Sequence, residues 1–143
     1  MSNVLDIGKE IILEIIRTSN PKLLFDLFNV RTKVWKYPII NDEFISYGLF
    51  SDISKLDSIQ AFNLISTAVE IVISQTDDDL FTTALSLLLI CAETTNTTEI
   101  PCELLKNLTS ISKKVKECNV KDCIEIWNEI MNWYRVDNKY DLK

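Results

Sequence analysis

The run from Asp77 to Glu93, Asp-Asp-Asp-Leu-Phe-Thr-Thr-Ala-Leu-Ser-Leu-Leu-Leu-Ile-Cys-Ala-Glu, constrains the fold more than any other stretch. Three carboxylates open it, where unpaired N–H groups and the positive dipole end of a helix favour negative charge. From Ala84 to Ala92 only Ser86 is polar. A helix that is apolar all round has to be buried all round. The run is therefore expected to be a central helix with the others packed against it.

Chain breakers are scarce, with two glycines and three prolines in 143 residues. That argues for helices and against a sandwich of short strands, which needs many turn residues. Apolar residues make up 47% of the chain, too many for a disordered segment. One domain spanning 1–143 is expected, large enough to bury a core without disulfides or metals.

The periodicity predicts an α-helix from Ser2 to Arg17, with Val4, Ile7, Ile11 and Ile15 as its stripe and Ile12 and Ile16 widening it. Asn20 and Pro21 open a second helix that buries Leu23, Leu24, Leu27 and Phe28. Arg31 to Pro38 is the one cationic stretch, and its Lys and Arg stems are expected to lie over packed aromatics. A short helix is expected between Asn41 and Leu49. Asp57 or Ser58 caps a long helix to Ser74, with Phe62, Ile65, Val69, Val72 and Ile73 inward and Thr67 outward. After the Asp77 helix comes the polar loop Thr94–Thr98. The next helix runs from about Glu99 to Glu117 and buries Ile100, Leu104, Leu108, Ile111 and Val115, helped by Leu105, with Lys106, Lys113, Lys114 and Lys116 outside. Asn119 is expected to cap the last helix, to Arg135, and the polar tail 137–143 to fray.

The fold class is thus all-α, with about seven helices in antiparallel pairs. The pairs 57–74 with 77–95 and 99–117 with 120–135 each take about 40 residues, in the range of HEAT or armadillo units. A compact helical bundle is the alternative.

The chemistry is mostly exclusion. Without histidine there is no imidazole base, no Ser-His-Asp triad and no His-metal site. Gly8 and Gly48 are too far apart for a phosphate loop. Asp42 with Glu43, and Asp77 with Asp78 and Asp79, are the carboxylate groupings, but neighbours at a helix start diverge, so capping suits them better than acid–base work. An enzyme would have to use such carboxylates or Cys102. Cys118 and Cys123 lack zinc spacing, and no cofactor or metal is expected. The four cysteines, Cys91, Cys102, Cys118 and Cys123, fit a reduced, cytoplasmic setting. Charges interrupt the N-terminal apolar run, so no signal peptide is expected, and the 80–92 segment is too short to cross a bilayer. The net charge of −6 disfavours nucleic acid and anionic membranes and suits a basic protein.

One surface pattern stands out. On the last helix Val120, Cys123, Ile124, Trp127, Ile130, Met131 and Tyr134 face one way, the expected core side. Ile126 and Trp133 fall off that face beside Asp122 and Glu129. An Ile–Trp stripe rimmed by carboxylates is the kind of surface that meets a basic partner. The other reading packs Trp133 under the tail or a neighbouring helix.

Asp77-Asp78-Asp79-Leu80-Phe81 leading into Leu85-Ser86-Leu87-Leu88, then Thr97-Thr98-Glu99-Ile100-Pro101 and Trp133-Tyr134-Arg135, make the chain from about Phe50 to Arg135 resemble the small, acidic, all-helical immunity proteins of bacterial polymorphic toxin systems. The resemblance implies a HEAT-like stack that binds a cognate toxin and blocks it without catalysis. A basic nuclease toxin would suit an acidic inhibitor. The expected contact residues are Asp122, Ile126, Glu129 and Trp133, with Asp77, Asp78 and Asp79 as a second patch. The alternative is a helical adaptor that takes a partner helix in an apolar groove.

Overall fold

A computed structural model describes residues 4–34 and 50–136, and these are all-helical. The helices are α1 (Val4–Thr18), α2 (Leu23–Val34), α3 (Ser58–Ser74), α4 (Asp78–Thr94), α5 (Cys102–Glu117) and α6 (Lys121–Trp133), with a 3-10 turn at Ser51–Lys55. The short helix expected at 41–49 and the tail 137–143 lie outside the described residues. So do the side chains of the cationic stretch.

Local chemistry sets the helix starts. Asp57 accepts the Gln60 backbone N–H at 2.7 Å and the Gln60 side chain accepts the Asp57 N–H in return, a capping box worth about 1 kcal/mol. Asp77 caps α4 by accepting the Leu80 N–H at 2.9 Å. The Asn20 side chain accepts the Lys22 N–H at 3.1 Å ahead of α2. Asn119 does not cap α6: Val120 stands at the cap with no side-chain bond, and Asn119 is engaged elsewhere. At their C-termini α1, α4 and α6 turn off through Ser19, Asn96 and Arg135, each near φ 56–57, the left-handed geometry of a helix stop.

The helices form two layers. One holds α2, α3 and α5; the other holds α1, the 3-10 turn, α4 and α6. The hairpins α1–α2, α3–α4 and α5–α6 each cross between layers. Hydrogen bonds fix the direction of stacking. Lys114, late in α5, donates to the carbonyls of Ile73 (2.9 Å) and Gln75 (2.8 Å) at the end of α3. Asn119, ahead of α6, donates its backbone N–H to the Asp78 carboxylate at the start of α4 (3.1 Å). Hence α5 runs parallel to α3, and α6 parallel to α4. Gln60 ties the first hairpin on, donating to the Ile16 carbonyl at 2.8 Å and the Ser19 hydroxyl at 3.0 Å.

This arrangement corrects the expectation of one fully enclosed helix. Helix α4 buries Phe81, Ala84, Leu85, Leu87, Leu88, Cys91 and Ala92, but Leu80, Leu89 and Ile90 are half-buried and Glu93 is exposed. In a two-layer stack every helix keeps a side toward solvent. Helix α3 is buried as deeply, through Ala61, Leu64, Ile65, Ala68, Val69, Ile71 and Val72. Its inward face is rotated from the expected one: Phe62 is half-buried, Ile73 is 41% exposed and Thr67 is buried. Contacts with α2, α4 and α5 together bury a wider arc than the large side chains alone mark out. On α1 the buried line is Gly8, Ile12 and Ile15, while Ile7 is exposed. Leu105 on α5 is exposed too, whereas Leu104, Leu108, Ile111 and Val115 are buried as expected.

Buried polar groups are mostly satisfied. Thr82 and Thr83 return their hydroxyls to the carbonyls of Asp78 (2.9 Å) and Asp79 (3.0 Å). The fully buried Trp127 donates its indole N–H to the Ser112 hydroxyl at 3.2 Å. Among the described residues the Tyr134 hydroxyl is buried without a partner.

Candidate interaction face

Charge follows the layers. Helices α4 and α6 carry six carboxylates, Asp78, Asp79, Glu93, Asp122, Glu125 and Glu129, against Lys121 alone. Helices α3 and α5 carry Glu70, Glu103 and Glu117 against Lys106, Lys113, Lys114 and Lys116. Across these four helices the acidity is therefore concentrated on the α4 and α6 side.

The stripe Asp122, Ile126, Glu129, Trp133 advances by four, three and four residues, so it holds one line along α6. Asp122 and Glu129 are exposed, and Ile126 and Trp133 are half-buried against the core. The Trp133 indole N–H donates to the Thr97 carbonyl at 2.9 Å. Trp133 thus packs under the α4–α5 loop while part of its ring reaches the surface, a combination of the two sequence readings. That loop is well organised: Thr95 is buried and donates its hydroxyl to the Ala92 carbonyl at 2.6 Å. Ile124, expected in the core, is 44% exposed. Helix α6 ends the described stack and packs on α4 and α5, so its buried arc is narrow: Cys123, Trp127, Ile130, Met131 and Tyr134.

Parallel stacking brings the Glu129–Trp133 end of this stripe beside the C-terminal half of α4. Glu93 lies within electrostatic reach of Glu129 there. Although Glu93 is exposed as a residue, partial desolvation of its carboxyl, and then the Glu129 charge, raise it above the ordinary range. No cation pairs with either carboxylate among the described residues. Glu93 also lines an open cleft of about 530 Å³ between the 3-10 turn and the end of α4, with Ser51, Ser54, Ile90, Thr94 and Asn96.

The second patch lies at the opposite end of α4, and its three acids have separate roles. Asp77 is the cap, Asp78 holds Asn119, and Asp79 is exposed. Sequence reasoning missed Glu93 and Ile90. Their signal was present as a line through Ser86, Ile90 and Glu93, but it carries meaning only once α6 is known to lie alongside.

Among the described residues no group of three His, Cys, Asp or Glu could hold a metal ion, and no helix is long and apolar enough to cross a membrane. What the face offers is negative charge without a paired cation, interleaved with half-buried apolar side chains. Comparison of the chain with protein-family models, curated proteins and solved structures finds no match.

Proposed function

We propose that the chain is a non-catalytic protein-binding inhibitor that acts in the cytoplasm, an immunity protein that masks a cognate toxin of basic surface, such as a nuclease. The observation that carries the reading is the placing of Glu93 within electrostatic reach of Glu129 on a pair of adjacent helices, α4 and α6, that bear six carboxylates and one lysine. Like charges held together on a surface cost free energy, and a cationic partner converts that cost into attraction. Ile90, Ile126 and Trp133 supply the apolar contacts between the charges. Parallel stacking of helix pairs is the construction of HEAT-like repeat proteins, which bind through extended faces. Inhibition needs only coverage of the toxin's substrate surface, with charge steering the encounter.

The test is capture from the source cell followed by titration calorimetry at two salt concentrations. The reading expects a single basic partner whose affinity falls as salt rises. It also expects a loss of about tenfold or more for Trp133→Ala and for the pair Glu93→Gln with Glu129→Gln. Capture of no basic protein would overturn it. Salt-insensitive binding of an amphipathic helix would favour the adaptor reading instead.

A further inference from the structure

The junction of α5 and α6 holds two thiols, one in the core and one at its edge, that the interaction face does not use. Cys118 is the half-buried residue that ends α5, in extended backbone at φ −76 and ψ 135. Its Sγ lies 3.7 Å from the Thr82 hydroxyl and 3.7 Å from the Asp78 carbonyl. Cys123 sits in the first turn of α6, fully buried, five residues on and near enough to Cys118 and Thr82 for both to bear on its ionisation. The turn between them is held at both ends. Asn119 donates its N–H to the Asp78 carboxylate (3.1 Å), and Cys123 donates its N–H to the Val120 carbonyl (3.2 Å). The two sulfurs are thereby gathered about one side chain of α4.

We propose that Cys118 and Cys123 are a dithiol that closes to an intramolecular disulfide by exchange with a low-molecular-weight disulfide, with Cys118 as the entry thiol and Cys123 as the resolving thiol.

Accessibility assigns the roles. Cys118 reaches solvent and Cys123 does not. Burial, then the neighbouring Cys118 thiol, pushes Cys123 up to about 12, which keeps it from attacking a reagent in solution. In the first step the Cys118 thiolate attacks one sulfur of the small disulfide. A protein mixed disulfide forms and one small thiolate leaves. In the second step Cys123 gives its proton to solvent and its sulfur attacks Cys118 Sγ. The mixed S–S bond breaks, the second small thiolate leaves and the Cys118–Cys123 bond forms. Two protein thiols are oxidised and one small disulfide is reduced to two thiols. The low thiolate fraction of Cys123 is offset by proximity, since well-placed intramolecular groups reach effective molarities of about 10⁵ M or more. Neither remaining thiol shares this arrangement: Cys91 is buried within α4, and Cys102 is exposed at the start of α5.

The experiment exposes the full chain to oxidised glutathione and follows intact mass and peptide maps. The expected product has lost two hydrogens, carries a Cys118–Cys123 cross-linked peptide, forms independently of protein concentration and reverts with a dithiol reductant. Cys123→Ala should halt at the glutathione adduct on Cys118. Wild type should hold about tenfold less of that adduct at equal exposure. Wild type that accumulates the Cys118 adduct as fully as C123A, or reacts at Cys102 alone, overturns the proposal. Should C123A fail to fold, the presence or absence of the cross-linked peptide from wild type decides the matter.

Discussion

The Trp133 indole N–H donates to the backbone carbonyl of Thr97 at 2.9 Å, joining the last turn of α6 to the loop that leaves α4. The bond makes one side chain serve both the stack and its surface. It orients a half-buried ring and gives the Thr97 carbonyl of the α4–α5 loop a donor from another helix. Trp133→Phe keeps an aromatic ring and removes the donor. It should lower unfolding free energy by about 1 kcal/mol, read from the urea midpoint at constant slope.

Lys114 is the corresponding tie in the other layer. Its ammonium donates to the Ile73 and Gln75 carbonyls and lies 5.2 Å from the centre of the Phe81 ring. It neutralises the negative end of α3 from a different helix. Lys114→Met should cost about 2 kcal/mol in urea unfolding. Lys113→Met, one residue away and exposed, should stay within about 0.5 kcal/mol of wild type. Equal effects of the two would remove the assigned role.

Tyr134 gives the opposite sign. Its hydroxyl is buried without a partner among the described residues, and burial raises its ionisation above the ordinary phenol range. An unmet buried hydroxyl costs free energy that its removal recovers. Tyr134→Phe should therefore leave stability unchanged or raise it by up to about 1 kcal/mol, measured by thermal and urea unfolding.

Glu93 ties the interaction face to pH. Its carboxyl is raised first by burial and then by Glu129. The folded chain therefore holds that proton to higher pH than the unfolded chain does. Between the ordinary carboxylate range and the raised value the folded state binds more protons. This contribution to stability is full below the window and is lost as pH rises through it. Carboxyl NMR titration should find Glu93 above an exposed glutamate. Glu129→Gln should lower it only in part, because burial is the larger cause. A return to the ordinary value in Glu129→Gln would assign the whole shift to the neighbouring charge.

Much of the helical order is legible in the residues because helix starts and stops are local events. Asp57 with Gln60, Asp77 before Leu80, and Pro101 beside Cys102 act within one turn, and the helices start and stop within a few residues of those signals. The facing of the helices was less legible. Ile124 and Leu105 look like core side chains on a wheel and stand exposed; Thr67 looks exterior and is buried. A wheel assumes one buried direction, whereas α3 is pressed by α2, α4 and α5, and α6, among the described residues, chiefly by α4 and α5.

Composition and periodicity alone therefore determined that this chain is all-helical, acidic and without imidazole chemistry, since each follows from residue type or from spacing within a turn or two. Only the tertiary structure decided that α6 lies parallel to α4, and with it that Glu93 comes within reach of the Glu129 charge, that Trp133 reaches Thr97 and that Cys118 packs on Thr82. Those pairings join segments far apart in the chain, and their free energy exists only once the two layers have closed.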